Sequence, residues 1–466
     1  MATNVRELAL DCLLMVEKKE CAYKEALNMQ LVKNQFLSKQ DRAFLTKLVN
    51  GSVEYKLRLE YVINQYSNTP INKCKPLIRV LLKMSAYQIL FLDKVPDSAA
   101  CNEAVKLAKK RGFSRLSGFV NGVLRNLARN KDEIKYPDKG SSNYLSVYYS
   151  TPEWIVDLIV KQYGYELAKD IIINSLDESR LYAYINCQKT SIKDAISSLN
   201  EEGVNALSVK LEKQYIASEV ETAFSKKYTD KLAHRYEERA IVLEEVDYLT
   251  RYESFKKGLF TVQDLSSMLV GFLAEAIINE ELSDNLREIN VLDMCSAPGS
   301  KALYIALSNS DKVNLISRDL TEFKTDLIKE NVDRLEVNNI KVEVLDATKL
   351  VEDDIDSKDI VVLDAPCSGL GVIKRKKDIK YNIEPKQLDE LAAIQKAMLN
   401  NAAKYVKLDG YLIYSTCTIN KDENTNQINE FLKSNSNYEL LYERQSLQTK
   451  ENSLSDGFYI AVLKRR

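Results

Sequence analysis

Two cysteines in this chain stand where a sulfur can do chemistry. Cys367 lies in Asp364-Ala365-Pro366-Cys367-Ser368-Gly369 and Cys417 in Ser415-Thr416-Cys417-Thr418, each just after a short apolar run. A thiolate is a strong nucleophile, and a covalent intermediate divides one difficult step into easier ones. A lone cysteine at a strand end is ordinarily a small buried packing residue. Two of them in such polar, strand-ending contexts argue for a shared site.

A second set of residues points to a bound ligand. An apolar run enters Asp293-Met294-Cys295-Ser296-Ala297-Pro298-Gly299-Ser300-Lys301, and a helical pattern follows. Glycine lets backbone approach a ligand closely, and a helix N-terminus offers unpaired N–H groups. The glycine pattern is not G-x-G-x-x-G, which counts against a dinucleotide. Asp319, Asp346 and Asp364 end the next three β-like runs. One such acid is ordinarily a helix cap, but acids at four successive strand ends mark a ligand crevice.

The elements that must position these groups are legible from about Phe260 onward. Strands are expected at Asn290–Met294, Val313–Ser317, Val342–Leu345, Ile360–Leu363, Gly410–Ser415 and Phe458–Leu463. Helices are expected at Lys301–Ser308, Glu322–Leu335 and Gln387–Tyr405. This alternation predicts a Rossmann-like α/β domain whose parallel sheet is covered on both faces, with ligands beyond the carboxyl ends of the strands. Neighbouring strands end side by side, so both sulfurs can face one pocket.

The N-terminal part reads differently. Val5–Val16, Arg42–Val53, Leu77–Leu90, Cys101–Lys110 and Phe119–Ala128 carry apolar residues at helical spacing, with breakers between them. Residues 1–138 are therefore expected to form an all-α domain. Residues 139–255 are expected to hold a linker (Tyr136–Ser150 is polar and Tyr-rich) and a small α+β domain, and 256–466 the catalytic domain.

Composition narrows the function further. Lys+Arg (66) and Asp+Glu (67) nearly cancel, so any basic surface must be local. Ala104–Lys131 holds Lys106, Lys109, Lys110, Arg111, Arg115, Arg125, Arg129 and Lys131 with no acid. A charge run is often just a solvated face, but here it could meet phosphates, with Lys109, Lys110, Arg111 and Arg125 as the contacts. A second basic run, Lys374, Arg375, Lys376 and Lys377, follows the Pro-Cys loop and could hold a backbone beside an unstacked base. The chain has 8 cysteines in no C-x-x-C pair and 1 histidine, His234, which argues against a metal site or a Ser-His-Asp triad. No apolar stretch is long enough for a bilayer, so a cytoplasmic, metal-free monomer with reduced thiols is expected.

Taken together, Asp293–Lys301, Leu363–Gly369 and Ser415–Thr418 resemble the Sun/Nop family of RNA 5-methylcytosine methyltransferases. Asp41-Arg42-Ala43-Phe44, Val49-Asn50-Gly51 and Phe119–Arg125 resemble the NusB-type RNA-binding domain. Val262–Ser267 and Asp456-Gly457-Phe458-Tyr459 add to a resemblance to the RsmB (Sun/Fmu) family, which joins that domain to such a core.

The resemblance implies S-adenosyl-L-methionine as cofactor and ribosomal RNA as partner. The cofactor would lie on Cys295, Ser296, Ala297, Pro298, Gly299, Ser300 and Lys301, with Asp319, Asp346 and Asp364. This chain has Ser300 and Ala302 where the family loop has Gly and Thr. The resemblance assigns the nucleophile to Cys417 and product release to Cys367. DNA cytosine methyltransferases use the Pro-Cys position, so the presence of both cysteines points to RNA. Asp364 is the candidate for contact with N3 of the base, and Lys301 for positioning substrate or stabilising charge. Two other readings stay open: an RNA-binding protein with an inert core, and a methyltransferase of protein or small molecules.

Overall fold

The structure is a computed structural model that describes residues 4–282, 288–309 and 311–466. It divides into two compact units, one of Met1–Leu176 with Arg375–Asn382 and one of Asp177–Lys374 with Ile383–Arg466. Among the described residues, no helix is long and apolar enough to cross a membrane.

The first unit is helical. The five expected helices appear as Val5–Glu17, Lys39–Glu54, Pro76–Phe91, Asp97–Lys110 and Ser117–Arg129. Local chemistry fixes their starts. The Asn4 side chain accepts from the Arg6 and Glu7 amides, Ser38 accepts from Asp41, and Pro76 begins its helix where an N–H would go unpaired. Pro76–Phe91 is the central helix and buries Lys83 and Gln88 along with its apolar residues. Lys83 pairs inside with Glu17 at 2.9 Å and Glu60 at 3.3 Å. Helices at Tyr23–Lys33 and Lys56–Tyr66 were not foreseen individually; the first buries only Tyr23, Ala26 and Leu27, too few for a clear period.

The Tyr-rich passage expected as a linker is part of this unit and contains the helix Ser142–Tyr148. Arg58 lies over the rings of Tyr136 and Tyr148 at 5.1 and 3.9 Å and donates to the Tyr136 hydroxyl, which ties the passage down. Helices Glu153–Tyr163 and Tyr165–Asn174 extend the unit to Leu176, beyond the boundary expected at 138. The short segment Arg375–Asn382 completes it. The Tyr381 hydroxyl donates to the Glu54 and Ser150 carbonyls at 2.8 and 2.7 Å, and Lys377 pairs with Glu54.

The second unit holds two sheets. The smaller has the order β2-β3-β1-β4, with β1 Leu181–Ile185, β2 Asn205–Ser208, β3 Ala240–Glu244 and β4 Phe260–Val262. The larger has the order β10-β11-β9-β8-β5-β6-β7. Its strands are β5 Ile289–Asp293, β6 Val313–Asp319, β7 Ile340–Val344, β8 Lys358–Asp364, β9 Val406–Thr416, β10 Tyr438–Ser446 and β11 Phe458–Arg465. Strands β5 to β9 pair in parallel, but β11 pairs antiparallel with β9 and β10. The sheet is thus mixed rather than wholly parallel. The sequence reading missed β10, whose run Tyr-Glu-Leu-Leu-Tyr-Glu-Arg-Gln-Ser is too polar for a buried strand pattern.

Alternation along the strands builds two cores. Val291, Ile360, Val362, Ile413, Ile460 and Val462 face one layer with helices Leu265–Glu280 and Ser300–Ser308. Leu292, Val361, Leu363, Leu412, Tyr414 and Ala461 face the other, with helices Pro385–Tyr405 and Thr425–Ser434. This period of two is what a sheet covered on both faces requires.

Candidate active site

The chain order reverses between β5 and β8, which lie side by side in the sheet, and the candidate residues cluster at the carboxyl ends of these strands and their neighbours. The turn after β5 is held from several sides. Ser296 N–H donates to the Arg318 carbonyl at 2.9 Å, Gly299 N–H to the Ser296 carbonyl at 2.7 Å, and Ala297 N–H to Asp319 Oδ2 at 2.9 Å. Gly299 has φ of 99°, and a Cβ there would meet Ile328 and Leu303 at 3.2 Å, so glycine suits both the backbone and the space. The helix Ser300–Ser308 follows at once.

Acids stand at the ends of β5, β6 and β7. Asp319 is buried; besides Ala297 it accepts from Leu320 N–H at 2.7 Å and pairs with Lys324 at 2.9 Å. Asp346 accepts from the Thr348 hydroxyl at 2.7 Å and amide at 3.0 Å, and these bonds hold its carboxyl below the usual range. Asp293 differs: it is 1% exposed, and the Ser296 hydroxyl, the Cys295 amide and the Lys301 charge beside it do not offset that burial. Burial pushes its pKa up to about 7. Burial also pushes the Cys295 thiol up, which makes that sulfur a poor nucleophile.

The second group lies over β8 and β9. Asp364 and Ser415 are register partners in the parallel ladder. Asp364 accepts from Ser415 Oγ at 2.7 Å and from Lys301 Nζ at 2.6 Å. Burial alone would lower the Lys301 pKa, but the Asp364 carboxylate outweighs it and the ammonium is held above its ordinary value. The Lys301 charge also acts on Cys417, and the amine lies 5.8 Å over the Phe458 ring.

The two sulfurs meet. Cys367 Sγ and Cys417 Sγ are 3.2 Å apart and both half-buried. The hydrogen bond to Cys417, and then burial, raise the Cys367 pKa well above the ordinary thiol value, so Cys367 is the protonated member. The Cys417 loop is clamped by backbone: Gly371 N–H donates to the Cys417 carbonyl at 3.1 Å, and Gly457 N–H to the Gly371 carbonyl at 2.8 Å. A Cβ on Gly371 would come within 1.9 Å of the Gly457 carbonyl oxygen, so only glycine permits this approach.

The basic runs do not behave alike. Lys109 and Arg125 are exposed. Arg111 donates to Asp11 at 2.7 and 2.9 Å and to Glu7 at 3.2 Å, and Lys110 to Glu7 at 2.6 Å, so the first helix supplies the acids this run lacks. The expected basic face at 374–377 is corrected. Lys374 is buried and donates to the Ser453 carbonyl at 3.4 Å, Lys377 is bound to Glu54, and Arg375 is half-buried. Lys376 alone of the four is exposed.

Sequence reasoning missed Glu423, which is 0% exposed and lies between the two cysteine loops. In Lys421-Asp422-Glu423-Asn424 it reads as part of a solvated polar turn, and no signal in the residue types marks it. Gln395, on the helix after Pro385, was missed for the same reason.

Comparison with known proteins adds to this geometry. Residues 281–464 match the family model described as 16S rRNA methyltransferase RsmB/F, and residues 3–129 the NusB family. A Bacillus subtilis protein named probable ribosomal RNA small subunit methyltransferase B is 35% identical, covering 94% of this chain and 90% of its own. A Synechocystis protein of the same name is 30% identical, covering 99% of both. Among solved structures, PH0851 matches with a TM-score of 0.78 over 100% of both chains at 19% identity, and so shares the fold. NSun6 from Pyrococcus horikoshii, solved with SFG, matches with a TM-score of 0.53 at 23% identity, covering 67% of this chain and 98% of its own.

Proposed function

The chain belongs to the 16S rRNA methyltransferase RsmB/F family, and from that premise we propose that it methylates C5 of a cytosine through a covalent adduct on Cys417. It is a small-subunit ribosomal RNA methyltransferase. The observation that carries the finer reading is the pair of sulfurs 3.2 Å apart beside the Lys301–Asp364 ion pair. Transfer to an oxygen or an exocyclic amine has no use for two adjacent thiols. Transfer to C5 does, because that carbon is a poor nucleophile until a thiolate has added to C6.

The residues divide the work. Lys301 favours the thiolate of Cys417 by its charge, while Cys367 keeps its proton. When the Cys417 sulfur adds to C6, the C5=C6 electron pair becomes available at C5 and negative charge develops at N3. Asp364, joined to Lys301, is the group we assign to N3, with the proton drawn from that pair. Release requires the C5 proton to pass to a base, its electron pair to restore C5=C6, the C6–S pair to return to Cys417, and the N3 proton to return to the Lys301–Asp364 pair. Cys367 is assigned to this half of the cycle.

The donor set fits S-adenosylmethionine, which when bound supplies an electrophilic methyl group on a sulfonium. Asp293 offers a buried carboxyl whose ionised form a cationic ligand would stabilise. The loop Cys295–Lys301 supplies backbone at a helix start, and Asp319 and Asp346 stand at the ends of the next two strands. The helical unit would bind RNA through the exposed Lys109 and Arg125.

The test is a denaturing gel of protein mixed with 16S ribosomal RNA and S-adenosylmethionine. Cys367→Ala should accumulate a slow-migrating protein–RNA species, and adding Cys417→Ala should remove it. Absence of that species, with wild type transferring no label to cytosine C5, would sink the proposal.

A further inference from the structure

Glu423 is enclosed, has no counter-cation in its first contacts among the described residues, and is surrounded by donors. Oε2 accepts from the Ser368 amide at 2.8 Å and from Gln395 Nε2 at 3.0 Å. Oε1 accepts from the Ser368 hydroxyl at 2.5 Å, Asn420 Nδ2 at 3.1 Å and the Thr418 hydroxyl at 3.4 Å. Ser368 follows Cys367 and Thr418 follows Cys417, and their hydroxyls are 2.7 Å apart. One buried carboxylate therefore ties the residue after each sulfur to the same point. Charge-assisted bonds of this number compensate a buried carboxylate.

We propose that Glu423 is a positioning residue that holds the Cys367 loop against the Cys417 loop and thereby governs release of the methylated RNA from its adduct. The inference rests on the reading of Cys417 and Cys367 given above. The two loops depend on Glu423 unequally. Cys417 directly follows the last ladder pair of β9, Thr416 with Tyr459, and its carbonyl accepts from Gly371. The Cys367 loop leaves the ladder after Ala365 N–H donates to Ser415, and is then held at Pro366 by Gln395 and at Ser368 by Glu423. Loss of the carboxylate should thus loosen Cys367, which serves release, more than Cys417, which serves attack.

Glutamine is isosteric but cannot take the place of Glu423. Each carboxylate oxygen accepts from an N–H donor, Ser368 and Gln395 on one side and Asn420 on the other. Either orientation of an amide would set its NH2 against another donor.

The experiment compares wild type, Glu423→Gln, Ser368→Ala and Cys367→Ala on 16S ribosomal RNA with S-adenosylmethionine, following adduct by denaturing gel and turnover by methyl label. Glu423→Gln is expected to raise the steady-state adduct about tenfold, with kcat down about tenfold and the KM for RNA unchanged. Ser368→Ala, which removes one hydroxyl donor, should shift adduct in the same direction by about threefold, and it decides the matter if Glu423→Gln does not fold. Adduct and kcat at wild-type levels overturn the inference. So does a fall in adduct formation that parallels the fall in kcat, since that marks a general loss of the site. If Cys367→Ala itself yields no adduct, the fault lies with the underlying reading of the cysteines.

Discussion

Asp293 and Lys301 show how burial sets chemistry one residue at a time. Lys301 is enclosed but keeps its charge because Asp364 lies 2.6 Å away, whereas for Asp293 burial outweighs the same Lys301 charge and its pKa rises to about 7. A positively charged ligand prefers the ionised carboxylate, so binding should release a proton when the free protein is partly protonated. Affinity for S-adenosylmethionine should therefore climb as pH rises toward about 7 and level off above it. Calorimetry in buffers of different ionisation heat reads both the affinity and the proton. Asp293→Asn should bind about tenfold more weakly near neutral pH and lose the dependence. At this scale residue type alone singled out Cys367 and Cys417, whose sulfurs lie 3.2 Å apart, and the acids at the strand ends. It was silent where packing makes the role, as with Glu423 and Gln395, whose types are common on surfaces.

Among the elements, β8 and β9 do most to assemble the site. Their parallel register sets Asp364 beside Ser415, and the loops that follow need only two or three residues to bring the sulfurs together. The turn at Gly371 then closes over the backbone of Cys417. Gly371→Ala would drive a methyl group into the Gly457 carbonyl, which lies 1.9 Å from the added carbon. We expect a loss of about 3 kcal/mol in denaturant unfolding and abolished methyl transfer, because overpacking against backbone cannot relax by a rotamer change. Unfolding at wild-type denaturant concentrations would show that the loop yields. The central strands were readable because strands covered on both faces are continuous apolar runs. Strand β10 was not, since its alternating Glu, Arg and Gln leave one partly covered edge of the sheet.

The chain as a whole carries a lesson about basic runs. Lys374-Arg375-Lys376-Lys377 reads as a phosphate-binding face, yet Lys377 neutralises Glu54 and Lys380 is 1% exposed with no hydrogen-bond partner among the described residues. Charge counted along a sequence says nothing of acids brought near by folding, and here they come from more than 300 positions away. Burial lowers the Lys380 pKa to about 7, well under its unfolded value. Between about pH 7 and pH 10 the unfolded chain binds the extra proton, so this amine's contribution to stability improves as pH rises and is at its worst below 7. Lys380→Met should therefore raise the melting temperature most at pH 6, with the gain shrinking toward pH 10. A gain independent of pH would mean that the amine is solvated. The same segment bears on how the protein is made. The helical unit is built from Met1–Leu176 and Arg375–Asn382, so its last piece leaves the ribosome about 200 residues after the rest. At ordinary bacterial rates of synthesis that is a wait of roughly 10–40 s. During it the pocket for Tyr381 and the carboxylate of Glu54 stand open, so the part of the chain translated first is among the last to be finished.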